Sequence, residues 1–297
     1  MQGMTTTGKS SSSSAGPRRL DGFDTIITPD DNSGGTLAEL WEYRDLIYLF
    51  VRRNFVAHYK QTVLGPAWAV LQPLVSTLIT AAVFGGLAKL SPGGVPTFLF
   101  YLSGQVLWNF FSSCLNTTAN TFVNNANIMG KVYFPRFVMP VAGILTQFIS
   151  FVIQAALFCL FVLVFALVGN PITPDATLLL MPLYVAHLAL LALGLGALAS
   201  SFTTRFRDVV ILISYGITLL MYVSPVVYDI SIVPESLRFV YLLNPIAPIF
   251  VHVRSALFGL GEFCWLHYVL SLVVTGVVLV SGYKTYTRVA KTFVDTI

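Results

Sequence analysis

Charged side chains are what this sequence most conspicuously lacks. Asp, Glu, Lys and Arg make up 10% of its 297 residues, against about 25% in an ordinary soluble domain. Too few charges remain to solvate a water-soluble fold, and the 56% of hydrophobic residues falls in long runs. Each run approaches the roughly 20 residues that cross about 30 Å of hydrocarbon as a helix. The interiors of these runs are almost free of ionisable groups, which argues against coupling by an internal proton or ion pathway. His187 is the main exception, and a lone histidine there reads as a packed, hydrogen-bonded residue rather than a relay. Cysteine is scarce too: Cys114, Cys159 and Cys264 lie far apart in or beside apolar runs. That spacing matches no metal motif and no disulfide framework. There is no GxxxxGK[ST] loop, HExxH, nucleophile elbow or carboxylate pair. The expected chain is therefore not an enzyme, and binds no cofactor or metal of its own. No basic stripe with interleaved aromatics is present, so nucleic acid is not an expected partner.

What the sequence does contain is organised along its length. Residues 1–35 are rich in Ser, Thr, Gly and Asp, with a serine run at 10–14; a mobile tail without the apolar core of a signal peptide is expected. Residues 36–65 read as an amphipathic interface helix. Thr36 and Glu39 have capping-box spacing, and Leu37, Leu40, Ile47, Val51 and Phe55 form a stripe. Glu42, Asp45, Arg52, Arg53 and Lys60 fall largely elsewhere, as expected of a helix lying in the headgroup layer. It is expected to reach about Val63, before Gly65-Pro66 breaks it. Residues 66–297 then read as an all-α integral membrane domain with six transmembrane helices, at about 68–87, 97–115, 138–168, 178–200, 209–227 and 263–283.

Between 229 and 262 the chain is apolar but interrupted by Pro234, Asn244-Pro245 and Pro248. A re-entrant helical hairpin fits this pattern, with a segment lying on the membrane surface as the alternative. Basic residues give the orientation. Arg52, Arg53, Lys60, Lys131, Arg136, Arg205, Arg207, Lys284, Arg288 and Lys291 share one side, and Lys89, Arg238 and Arg254 the other. The first group belongs in the cytoplasm, with both termini.

Four motifs, in order within this frame, resemble the permeases of polysaccharide ABC exporters, which handle O-antigens, capsules and teichoic acids. The basic stretch from Arg52-Arg53 through His58-Tyr59-Lys60 leads into Leu64-Gly65-Pro66-Ala67-Trp68 and Gln72-Pro73. The cytoplasmic loop runs from Asn124-Asn125 through Ile128, Lys131-Val132-Tyr133-Phe134 to Arg136. Phe206-Arg207-Asp208 and Tyr241-Leu242 with Asn244-Pro245 follow. The resemblance covers about 37–290 and implies a type-2 ABC transporter subunit in the cytoplasmic (inner) membrane, working as a homodimer with two ABC ATPase subunits that hold ATP and magnesium. The implied cargo is a glycan on undecaprenyl diphosphate, most of all an O-antigen. Alternatives are an exporter of teichoic acid, drugs or lipids, or a membrane enzyme acting on lipid-linked sugars.

The resemblance also implies roles. Arg52, Arg53, His58, Tyr59 and Lys60 would meet the diphosphate at the inner surface, although anchoring by membrane phospholipid suits the same residues. Asn125, Ile128, Lys131, Val132 and Phe134, with Arg207 and Asp208, would couple to the ATPase; Asp208 equally suits a helix N-cap. Trp68, Trp108, Phe110, Tyr215, Tyr222 and Tyr228 are candidates to line a channel, or to act as packing and interface anchors. Asn244 and Pro245 would belong to an outer gate.

Overall fold

The computed structural model describes residues 37–60, 63–90, 94–132, 134–169, 175–204, 206, 208–261 and 264–293. The proposed tail, Thr36, Tyr133, Arg205, Arg207 and the 262–263 junction lie outside these residues, as does the Tyr59 side chain. Among the described residues all regular structure is helical.

The N-terminal helix is interrupted, and ends short of the expected Val63. Helix α1 (Leu37–Glu42) meets α2 (Arg44–Tyr59) at a turn on Tyr43, and α2 ends four residues before Val63. Next come α3 (Trp68–Thr80), extended through a wider π-helical stretch Ala81–Leu87, then α4 (Thr97–Ala119), α5 (Thr121–Met129) and α6 (Val138–Leu167). A 3₁₀ turn leads into α7 (Met181–Thr203), followed by α8 (Val209–Val223). Helices α9 (Glu235–Leu242) and α10 (Ala247–Phe258) are bent by 110° against each other, and α11 (Trp265–Phe293) closes the fold.

Among the described residues, four helices are long and apolar enough to cross a membrane: Gly65–Leu87, Val138–Leu167, Ala176–Thr203 and Trp265–Lys291. The bent α9–α10 pair makes five if it counts as one span. This is a multi-pass membrane protein. With 30 residues, α6 is about 45 Å long at 1.5 Å per residue, so it tilts or projects beyond the hydrocarbon. Helix α4 is long enough at 23 residues but polar for a span. Sixteen of those residues are buried, so protein rather than lipid surrounds it and Ser103, Gln105 and Thr118 are tolerated. Helix α8 has 15 residues, about 22 Å, and none of them is buried.

The core is built around α4, which packs on α3, α6, α7 and α8, while α7 packs on α11. Lipid gives apolar side chains no reason to prefer one another, so close backbone approach carries this packing. A Cβ on Gly196 would fall 2.5 Å from Thr118 Cβ on α4, and one on Gly194 would fall 2.8 Å from the Leu279 backbone on α11. A Cβ on Gly282 would strike the Gly194 carbonyl oxygen. Gly282→Ala should therefore separate α7 from α11 and destabilise the protein by roughly 1–3 kcal/mol. Gly276→Ala on the same helix, where the added Cβ meets nothing, should leave it unchanged or slightly firmer. Thermal unfolding in detergent compares the two.

Candidate functional site

Helix α2 buries Ile47 and Phe50 against the bundle and leaves Tyr48, Leu49 and Val56 exposed, as α1 does Trp41. One stripe therefore binds protein while other apolar residues remain outside, as expected of a helix at a lipid surface. Its C-terminal half roofs a cavity of about 340 Å³ over the end of α4, α5 and the start of α6. Arg53 is the organising residue. It donates through Nε (3.2 Å) and Nη2 (2.8 Å) to Asn54 Oδ1, and through Nη2 to Asn125 Oδ1 on α5 at 3.2 Å. Its guanidinium lies 4.9 Å from the Phe50 ring centre, and Phe50 lies 5.6 Å from Phe134. Burial holds its pKa below the usual arginine value, without threatening its charge near neutrality.

The rest of the lining is polar and uncharged. Asn125 Nδ2 donates to Thr121 O at 3.0 Å, and Gln147 Nε2 to Thr117 Oγ1 at 3.2 Å. Asn124, Thr146, Ser150 and His58 also line the cavity. Among the described residues no carboxylate lines it. An arginine, a histidine and a set of amides and hydroxyls suit an anionic, oxygen-rich group.

The structure thus joins two groups that the sequence treats separately: Arg53 and His58 share one cavity with Asn125. Arg52 and Lys60 are exposed and stand outside the lining. Phe134 is buried under α2, Ile128 is half-buried against the core, and Lys131 and Val132 are exposed. Asp208 occupies the N-cap position of α8, but its side chain makes no capping bond. Its backbone oxygen does the capping instead, accepting from Ile211 N–H (3.0 Å) and Leu212 N–H (3.1 Å). The side-chain capping expected for it is therefore corrected.

The aromatics divide. Trp68, Tyr215 and Tyr222 are exposed. Trp108 and Phe110 are buried within the bundle, Trp108 against Phe111 (5.5 Å) and Phe110 against Phe151 (4.8 Å). A channel bounded by this chain's surface would not be lined by those two rings. Tyr228 is half-buried, and its hydroxyl donates to Tyr222 O and meets Tyr241 Oη, both at 2.9 Å.

At the other end of α4, the α9–α10 bend is made by Asn244. Its Oδ1 accepts from Ile246 N–H at 3.1 Å and its Nδ2 donates to Ser224 Oγ at 3.0 Å. The Pro245 carbonyl accepts from Ser271 Oγ of α11. His187 completes this network, with Nε2 2.8 Å from Thr275 Oγ1 and 3.4 Å from Ser271 Oγ. It is a packed, hydrogen-bonded residue.

Arg254, which the charge count sets among the outer residues, is instead 2% exposed inside the protein. Its Nη1 donates to Pro225 O and Tyr228 O at 2.7 Å each, and its Nη2 to Val226 O at 2.5 Å. The guanidinium lies 3.9 Å from the Phe100 ring centre. Gly104 makes room: a Cβ there would fall 2.9 Å from Arg254 Nη2 and 2.6 Å from Val226 O. The three carbonyls directly follow α8, whose negative dipole end adds to the attraction. The one signal in the sequence was a cation within the otherwise uncharged run 246–260.

Comparison with known proteins places this architecture. The family described as ABC-2 type transporter matches residues 45–258. The O-antigen export system permease protein RfbA of Klebsiella pneumoniae is 25% identical over 254 residues, 84% of this chain and 94% of the relative. Another Klebsiella pneumoniae protein of that name is 25% identical over 237 residues, covering 79% and 88% of the two chains. The Myxococcus xanthus protein of that name is 27% identical over 219 residues, covering 73% and 82%.

Proposed function

This chain belongs to the ABC-2 type transporter family, and from that membership we propose that it is the permease of an ATP-driven exporter of lipid-linked polysaccharide. The proposed cargo is a glycan of the O-antigen class on undecaprenyl diphosphate, moved outward across the cytoplasmic membrane. The observation that carries this reading is the Arg53 cavity, a basic recess with no carboxylate among its described lining, beneath a lipid-surface helix. Diphosphate oxygens would accept from Arg53 and His58 and from the amides behind them, while the polyprenyl chain stays in the membrane. The names of the relatives support the glycan.

The spans in this reading number six: the four long apolar helices, the protein-sheathed α4, and α8 lengthened by the buried run 224–227. The α9–α10 pair is then a re-entrant outer hairpin, and both termini are cytoplasmic. ATP and magnesium bind a separate ABC ATPase, two copies per transporter, which meets the exposed Lys131, Val132 and Asp208 together with Arg207. The uncovered apolar faces of α3 and α8 support a homodimer, with Trp68, Tyr215 and Tyr222 turned towards the cargo path.

Reconstitution with a candidate ATPase tests the reading. ATP-dependent appearance of lipid-linked glycan on the far side of proteoliposomes is expected, with no such movement of a drug or of an unglycosylated lipid. Failure to bind any ABC ATPase, or ATP turnover without glycan movement, would overturn it.

A further inference from the structure

A second cavity, of about 270 Å³, lies where α9, α10 and the start of α11 meet. It is at the opposite end of α4 from the Arg53 cavity: Arg254 of α10 covers Phe100 near the start of α4, whereas the first cavity touches Thr117 near its end. The polar lining is Asp229, Ser231, Arg238, His252, Cys264 and His267. Arg238 Nε and both ring nitrogens of His267 are shut off from solvent without a hydrogen-bond partner. Asp229 and His252 are engaged. His252 Nε2 accepts from the Cys264 backbone N–H at 3.3 Å. Asp229 accepts from Ser231 N–H at 3.1 Å, and its charge acts on Arg254, which is not part of the lining. Asp229 is the one carboxylate in the described lining, while Arg238 and His267 line the same cavity with donors unmet. Buried donors are rarely left so, and an acceptor-rich anion would satisfy them.

The surroundings narrow the class of anion. Beside this basic recess α9 exposes Leu237, Phe239 and Val240, each at least 57% accessible, and Ile232 and Leu243 extend the apolar surface. Phe239 also packs on the His267 ring at 5.9 Å. Apolar side chains around a cationic recess are what a lipid meets with its chains and its headgroup together. We propose that this recess binds the phosphate of a membrane lipid, Arg238 and His267 donating to its oxygens while the apolar face of α9 lies against the acyl chains. A phosphate supplies several acceptors within reach of a guanidinium and an imidazole. That this lipid belongs to the outer leaflet follows from the topology proposed above, whereas the phosphate recognition does not depend on it.

Native mass spectrometry of the full chain in detergent tests this. The probes are phosphatidylglycerol and a glucosyl diacylglycerol with the same acyl chains but no phosphate. Phosphatidylglycerol should be retained and the glycolipid lost. Arg238→Gln combined with His267→Gln should lower retention at least about fivefold, the loss expected when charge-assisted bonds are removed. Arg238→Lys should keep most of the retention, and Lys284→Gln, at the other end of α11, all of it. Millimolar inorganic phosphate should leave the lipid bound, because the acyl chains add to the affinity. Equal retention of the two lipids, or unchanged retention in the double variant, would overturn the proposal. Complete displacement by inorganic phosphate would also overturn it, in favour of the free ion. Should the double variant not fold, the wild-type comparison of the two lipids and Arg238→Lys carry the test. None of these readouts measures transport, so failure here would leave the export reading standing.

Discussion

Arg254→Met is expected to destabilise the protein by on the order of 3–5 kcal/mol, because three carbonyls lose their donors together. Methionine fills much of the same volume but donates nothing. The carbonyls of Pro225, Val226 and Tyr228 would then be left without the donors they have now. Each unsatisfied buried acceptor costs about 1–3 kcal/mol, partly offset because a desolvated charge is removed. The loss should be local first. The segment after α8 and helix α10 should separate, and the seat of Phe100 on α4 should loosen, because a single guanidinium touches all three. Arg254→Lys should recover only part of the stability, since an ammonium cannot fork across three carbonyls and lie flat on a ring. Thermal unfolding in detergent, with limited proteolysis near 224–229, measures both effects. A loss below about 1 kcal/mol would mean that water or rearranged backbone satisfies those carbonyls.

Arg53→Glu is expected to reduce glycan export at least about tenfold, which corresponds to only 1.4 kcal/mol of interaction, at unchanged protein level. The carboxylate would face Asn54 Oδ1 and Asn125 Oδ1, the oxygens that now accept from the guanidinium, and would place an acid in a cavity that has none among its described lining. Arg53→Lys should fall between, keeping the charge and losing the two-pronged donation. Arg52→Glu should matter much less, because Arg52 is exposed and outside the cavity. Surface glycan in cells matched for permease level, together with the ATPase rate of the complex, gives the readout. Wild-type export by Arg53→Glu, or equal loss in the two variants, would end the diphosphate role proposed for Arg53.

That difference between neighbouring arginines shows where reading the sequence stops. Positions 52 and 53 carry the same residue in the same motif, and no spacing rule separates them. Their side chains project about 100° apart around the helix axis, a consequence of 3.6 residues per turn. Only the face on which α2 docks decides which one enters the cavity. The end of α2 is hidden for a related reason: Gly65-Pro66 is the first strong helix breaker beyond the stripe, but the chain already turns extended at Lys60, with ψ of 130°. The aromatics repeat the lesson. Trp108 and Trp68 are equally apolar in sequence, yet one is wrapped by α4's neighbours and the other is left on the surface.

Composition and periodicity determined the class of this protein: a helical, multi-pass membrane chain. They could do so because hydrocarbon demands long apolar helices and excludes charge wherever protein does not shelter it. Tertiary structure alone decided what each polar residue does. It made α4 a sheathed central helix, gathered Arg53, Asn125 and Gln147 around one cavity, and turned Arg254 from a surface charge into an internal clamp. Those outcomes depend on which helix lies against which. Glycine seams such as Gly194–Gly282 and buried carbonyls set that arrangement through contacts between residues far apart in the chain, which no local pattern records.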